Sequence, residues 1–134
     1  MPYEELVFDV FARNCTSRSV MDTVAGRWGI LSMAALLDGT HRFNELRRRV
    51  DGVSEKMLSQ TLHALERVGL VVRTVQSTIP PRVEYSLTDP GRRIAAKLLE
   101  LIDLVEAEMP DITAAQGRYD AATCPPAAPA GPQP

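Results

Sequence analysis

Hydrophobic residues recur at helical spacing through most of the chain and at alternating spacing in one central part. The helical spacing predicts helices over approximately residues 3–13, 17–25, 28–37, 42–50, 54–68 and 91–109. Two β-rich runs, residues 70–75 and 83–87, lie between the last two helices. The fold class predicted from this order is α+β, mainly α, with a two-stranded hairpin.

The predicted helix over residues 54–68 divides into two faces. Leu58, Leu62 and Leu65 form a narrow apolar stripe, and the hydroxyl of Ser54 is suited to accept a backbone N–H of the first turn. A turn of a few residues joins this helix to the preceding short one, which is the arrangement of a helix-turn-helix. The face opposite the leucines carries hydrogen-bonding side chains: Lys56, Ser59, Gln60, His63 and Arg67.

Five stretches follow one another in the order of a winged-helix protein. They are GRW at 26–28, GTHRFNELR at 39–47, VSEKMLS at 53–59, LERVGLV at 65–71 and PPRVEYSLT at 80–88. On these stretches residues 15–99 resemble the HxlR-type, MarR-related regulators of bacteria. The resemblance implies a winged helix-turn-helix domain with N- and C-terminal dimerisation helices. It also implies a homodimeric transcription regulator that binds double-stranded DNA and acts as a repressor.

Three regions are expected along the chain. Residues 1–14 would form a helical arm, residues 15–109 the domain with its C-terminal dimerisation helix, and residues 110–134 an Ala/Pro-rich flexible tail. The apolar stripe of the last helix is longer than a core of this size needs, so part of it should face another chain. The residues expected at a dimer contact are Leu6, Val10, Phe11, Leu98, Leu101, Ile102 and Val105.

Sequence discrimination requires side chains that reach base edges in the major groove, which admits a helix. The candidates on the predicted recognition helix are Ser54, Lys56, Ser59, Gln60, Thr61 and His63, with Ser54 and Thr61 better suited to phosphate. The candidates for phosphate and minor-groove contacts are Arg42, Arg47, Arg48 and Arg82. Arg82 follows two prolines at the tip of the wing, from which it could enter a narrow minor groove. The alternative for any one of these arginines is a surface ion pair with Glu45 or Glu84.

Charge is distributed unevenly along the chain. The formal net charge is −2, yet residues 27–93 hold eleven Arg/Lys against seven Asp/Glu, while both flanks are acidic. A basic middle is what contact with phosphate requires. The competing interpretation is a solvated surface of mixed charge.

The two cysteines, Cys15 and Cys124, are too far apart in sequence to indicate a disulfide framework, so a reducing cytoplasm is expected. No signal peptide or membrane span is predicted from the sequence. Cys15 takes the position of the family's N-terminal cysteine, although Thr16 stands where proline is usual. It is either an electrophile or oxidant sensor, with Arg13 and Arg18 favouring the thiolate, or a half-buried small residue. A sensor could form a Cys15–Cys15′ bond across the dimer.

Other functions find less support in the sequence. Trp28 and Phe43 could line a pocket for a small effector, but aromatic residues of this kind are more often core. His41 and His63 have no Cys or carboxylate partner at metal spacing, and there is no phosphate loop or nucleophile elbow. No catalytic residue, metal or cofactor is therefore expected. The remaining alternatives are a winged-helix adaptor that contacts proteins only, and a regulator of MarR or PadR type.

Overall fold

The computed structural model describes residues 7–123, in which helices dominate and three strands form one small sheet. The elements are α1 Thr16–Ala25, α2 Arg27–Leu36, β1 His41–Arg42, α3 Phe43–Arg49, α4 Glu55–Arg67, β2 Val71–Gln76, β3 Arg82–Leu87 and α5 Asp89–Thr123. The predicted class, α+β and mainly α, is confirmed. Within the described part of the chain, residues 7–99 and residues 100–123 belong to two compact units.

The sheet is antiparallel, with strand order β1-β3-β2. The hairpin of β2 and β3 pairs from Val71 opposite Leu87 to Gln76 opposite Arg82. β1 adds a third strand, in which Arg42 lies opposite Glu84. The sequence pattern predicts no strand here and begins a helix at residue 42, because a two-residue strand is too short to show alternation. β1 ties the start of α3 to the wing.

The core of the first unit is built on the leucine stripe of α4. Leu58, Leu62 and Leu65 are fully buried and belong to one cluster with Met33 of α2 and Leu46 of α3. The helix begins as predicted, since the Ser54 Oγ accepts the backbone N–H of Met57 at 3.0 Å. The helix-turn-helix expected from the sequence is therefore α3, a short turn and α4.

A compact junction closes the C-terminal end of α4 against the start of α5. Gly69 adopts φ +80°, and the N–H of Leu70 reaches the carbonyl of Leu65 at 3.0 Å, which is a Schellman ending. The Thr88 hydroxyl donates to the Gly69 carbonyl at 2.7 Å and accepts the Gly91 N–H at 3.1 Å. Gly91 is buried so close to the Leu70 carbonyl that a Cβ there would overlap it. The junction thus fixes where the wing and α5 leave α4.

The N-terminal helix predicted over residues 3–13 is wrong for residues 7–13, which form turns. The Asp9 carboxylate accepts the backbone N–H of Phe11 at 3.0 Å, and the Asp9 carbonyl accepts the N–H of Ala12 at 3.0 Å. An aspartate that bonds its own neighbouring backbone competes with helix formation in this way. Leu6 and the rest of residues 1–6 lie outside the described residues.

The predicted end of the last helix at residue 109, and the flexible tail from residue 110, are wrong for residues 110–123. α5 continues through Pro110 to Thr123. A proline inside a helix removes one backbone hydrogen bond, but the following segment is rich in alanine, which favours the helix. Residues 124–134 lie outside the described part of the chain. Although α5 is long, no helix within residues 7–123 is long and apolar enough to span a membrane.

We expect Gly91→Ala to lower the free energy of unfolding by about 1–3 kcal/mol, because its methyl group must displace the Leu70 backbone. The matched control is Gly117→Ala, a helical position with nothing within 4 Å of the added Cβ, where alanine should leave stability unchanged or raise it. Urea unfolding followed by circular dichroism measures both. Equal stability of Gly91→Ala and the parent protein would contradict the close contact.

Candidate nucleic-acid interface

The face of α4 opposite its leucines is exposed along most of its length. Burial of the leucine stripe fixes the rotation of the helix, so the polar positions must point outward. Thr61 is half-buried at the edge of this face. The other predicted recognition residues are exposed: Ser54, Lys56, Ser59, Gln60 and His63.

Three of the four predicted phosphate-binding arginines line one groove. Arg42 lies on β1, Arg48 on α3 and Arg82 at the start of β3, and pairing of β1 with β3 brings them together. The groove has a volume of about 450 Å³. Its other lining residues are Phe43, Asn44, Glu45, Pro81 and Val83. We call this surface the arginine groove.

Arg47, the fourth predicted arginine, is not among the residues that line the arginine groove. Its Nη1 lies 3.2 Å from Oε2 of Glu55, in an exposed ion pair that joins α3 to the first turn of α4. The sequence had offered Glu45 and Glu84 as ion-pair partners, and this expectation is wrong for Arg47. Glu55 was missed because the pair forms across the turn, between residues eight positions apart. The pair links the two helices across the turn and occupies one arginine.

The two acidic residues nearest the arginine groove each accept a hydrogen bond. Oε1 of Glu45 accepts the backbone N–H of Arg42 at 2.7 Å, and this bond is the main reason that the pKa of Glu45 is lowered. The nearby charges of Arg42, His41 and Arg48 lower this pKa further. Oε1 of Glu84 accepts the side-chain amide of Gln76 at 3.0 Å. Within residues 7–123, neither carboxylate forms an ion pair with an arginine of the groove.

Cys15 is half-buried at the N-cap of α1. Its Sγ lies 3.3 Å from the Ser17 hydroxyl and accepts the backbone N–H of Asp9 at 3.3 Å. The pKa of the Cys15 thiol is lowered, mainly by the hydrogen bond with Ser17 and next by the hydrogen bond from the Asp9 N–H. The negative charge of Asp9 acts in the opposite direction. The sequence had assigned this effect to Arg13 and Arg18. Instead, the Arg18 guanidinium donates to the Phe11 carbonyl at 3.2 Å.

Trp28 and Phe43 are partly buried and pack against the core, as the core interpretation predicted. The guanidinium of Arg27 lies over the Trp28 ring, 5.4 Å from its centroid. In the part of the chain that the structure describes, no cluster of three or more His, Cys, Asp or Glu is placed to hold a metal ion.

The residues predicted for dimerisation differ in their surroundings. Phe11 is 89% exposed, Leu101 49% and Val105 46%, whereas Val10 and Ile102 are half-buried. Leu98 is half-buried and packs against the core of its own chain. Leu6 is outside the described residues. Further exposed apolar side chains that sequence reasoning left out of the set are Val7, Phe8, Leu104 and Met109.

Comparison with known proteins identifies the family and supports the winged-helix fold. The model of the HxlR-like helix-turn-helix family matches residues 23–113. The chain belongs to this family. It is therefore a transcriptional regulator with a helix-turn-helix DNA-binding domain.

This HxlR-family chain is 47% identical over 106 residues to the HTH-type transcriptional regulator YtfH of Escherichia coli K12, covering 79% of this chain and 84% of the relative. A solved structure of the transcriptional regulator ytfH from Salmonella typhimurium superposes with a TM-score of 0.78 at 46% identity, covering 83% of this chain and 99% of that one. The structure of the redox regulator HypR in its oxidized form superposes with a TM-score of 0.64 at 35% identity, covering 69% of this chain and 96% of that one.

The lowered pKa predicts that Cys15 alkylates faster at neutral pH than an ordinary thiol. In a Cys124→Ser background, the rate of reaction with iodoacetamide should fall as pH decreases through a midpoint below that of the same thiol in the urea-unfolded protein. Ser17→Ala should move this midpoint upward, because it removes the largest cause of the lowering. A midpoint equal to that of the urea-unfolded protein would contradict the assignment.

Proposed function

We propose that this HxlR-family regulator acts as a homodimer that reads an operator with α4, contacts phosphate through the arginine groove and represses the adjacent gene. The observation that carries the proposal is an exposed, hydrogen-bonding face on α4 together with a groove of three arginines. Arg48 of that groove also lines a second groove with Glu55, at the start of α4. A dimer presents two such helices, so the operator should be a pair of related half-sites.

Lys56 and Gln60 are proposed to select bases. Lysine donates to the acceptors of guanine, and glutamine can bond adenine through two atoms. Ser59 and His63 extend the same face, while Ser54 and Thr61 suit phosphate. The arginine groove contributes affinity and orientation, because phosphate contacts carry no sequence information directly.

A protein–protein adaptor is the competing function. A winged helix that had lost DNA reading would have no requirement for three arginines in one groove or for an uninterrupted polar face on α4. Both features favour DNA. Salt-dependent, sequence-selective binding to the DNA upstream of the chain's own gene distinguishes the two, since an adaptor would show neither.

The homodimer is supported by apolar side chains that a monomer would leave in water. Leu101, Leu104, Val105 and Met109 of α5 are exposed, and Phe11 is exposed in the N-terminal segment. Burial of one such side chain is favourable by about 1.5–3 kcal/mol. A second copy of the chain carries the same apolar positions, which suits a two-fold contact.

Cys15 is proposed to sense an electrophile or oxidant. Its support is the lowered thiol pKa together with the relative HypR, which is described as a redox regulator. Treatment with diamide should weaken DNA binding of the parent protein and leave Cys15→Ser unaffected. An equal response in both proteins would exclude Cys15 as the sensor.

We predict that Arg82→Ala weakens binding to upstream DNA and shrinks the slope of log affinity against log salt by about one unit, because one phosphate contact is lost. Fluorescence anisotropy over a salt series measures both quantities. Arg93→Ala is the matched control: it removes the same charge from an exposed α5 position that does not line the arginine groove.

A second prediction concerns the proposed base-reading face of α4 and uses the variant Gln60→Ala. Affinity for upstream DNA should fall by about 1–3 kcal/mol, while affinity for a mixed-sequence duplex stays unchanged.

Two outcomes would contradict these predictions. If the salt slope of Arg82→Ala equals that of the parent protein, the wing does not contact DNA phosphate. Equal binding of the parent protein to both duplexes would contradict operator reading.

For the dimer, we predict that Val105→Glu raises the dimer dissociation constant roughly ten-fold or more, because a charge replaces a buried methyl surface. Ala107→Glu adds the same charge two positions along α5, off the apolar stripe, and should leave the dimer intact. Sedimentation equilibrium measures both variants. A parent protein that is monomeric at micromolar concentration would overturn the homodimer.

A further inference from the structure

The outer face of the sheet brings together opposite charges. Tyr85 and Leu87 of β3 are buried, so the alternating residues Arg82 and Glu84 belong to the other face of the strand. Residues paired across antiparallel strands share a face. Register therefore places Arg42 directly opposite Glu84 on one side, and Gln76 opposite Arg82 on the other.

Arg42 and Glu84 would be the expected ion pair in this arrangement. Opposite charges that face each other across neighbouring strands attract at close range. The structure instead has Oε1 of Glu84 accepting the side-chain amide of Gln76, 3.0 Å away on β2. Within residues 7–123 Glu84 forms no ion pair with Arg42 or Arg82, and it is not among the residues that line the arginine groove.

We propose that Gln76 is a positioning residue: it holds the Glu84 carboxylate toward β2, so that the guanidinium groups of Arg42 and Arg82 stay available for a DNA phosphate. The inference rests on the proposed function, since it concerns the same groove. In this proposal a neutral side chain of the wing controls how much positive charge the arginine groove presents to DNA.

The chemistry of glutamine suits this role. Its amide donates to a carboxylate without carrying a charge of its own, so Glu84 gains a partner and the cationic groove keeps its field. The bond is partly buried, which limits competition from water. Without the amide, the cation that the register places opposite Glu84 is Arg42. An Arg42–Glu84 pair would remove one cation from the set that displaces counterions from DNA.

The test uses the full-length protein and a short mixed-sequence duplex, because a phosphate contact does not depend on base sequence. Gln76→Leu keeps the side-chain size and removes the donor. We expect a roughly five-fold loss of affinity at physiological salt and a salt slope smaller by about one unit, which corresponds to one lost phosphate contact. Thr74→Val, which removes a hydroxyl at the β2 position paired with Glu84 and leaves the Gln76 amide in place, is the matched control and should bind like the parent protein.

Rescue separates positioning from a structural effect. Glu84→Gln alone should bind no more weakly than the parent protein, and Gln76→Leu combined with Glu84→Gln should recover both the affinity and the salt slope. A double variant as weak as Gln76→Leu would overturn the inference, because damage to the wing is not repaired by removing a charge. Parent-like binding of Gln76→Leu would overturn it as well. Failure of the parent protein to bind any duplex would instead overturn the proposed function.

Discussion

Burial of the leucine stripe of α4 is the constraint on which the other features of the domain depend. Leu58, Leu62 and Leu65 are withdrawn from water against α2 and α3, and this fixes both the rotation of α4 and its height on the core. The polar positions between them must then face outward. The Schellman ending at Gly69 and the hydrogen bonds of Thr88 carry this geometry into the wing, because they set where β2 begins and where β3 ends. The proposed base-reading face and the arginine groove are thus consequences of one packing requirement.

The electrostatics of the interface depend less on net charge than on where each carboxylate is held. The chain carries a formal charge of −2, which by itself would disfavour nucleic acid. Two glutamates near the arginine groove accept hydrogen bonds from uncharged donors, a backbone N–H for Glu45 and an amide for Glu84. A third, Glu55, pairs with Arg47 across the turn between α3 and α4. Although Glu45 lines the groove, within residues 7–123 none of the three arginines is held in an ion pair.

Prediction from sequence succeeded where the signal was local and periodic. Leucines three and four positions apart, with Ser54 before them, are enough to predict α4, its start and its exposed face. The errors arose where contacts decide the structure. β1 is defined only by its pairing with β3, the turns after residue 7 by hydrogen bonds of Asp9, and the end of α5 by residues that carry the helix past Pro110. Within the candidate site, the six predicted recognition positions lie at the N-cap of α4 and along it, and five of them are exposed. The partners Glu55 and Gln76 were not predicted, since each pairs across a turn or a strand with no sequence periodicity.

The N-terminal segment links two proposals through one set of bonds. Sγ of Cys15 accepts the Asp9 N–H, and Arg18 donates to the Phe11 carbonyl, so these contacts hold in place the turns that carry exposed Phe11. An adduct or a disulfide on Sγ would remove an acceptor that Asp9 needs and would crowd the start of α1. α1 also contacts α2 and α4, and its Val24 belongs to the buried core. A sensor at Cys15 would therefore act on the segment proposed to meet a second copy and on a helix that supports α4. In that case thiol chemistry at this position would change DNA binding without any contact between Cys15 and DNA.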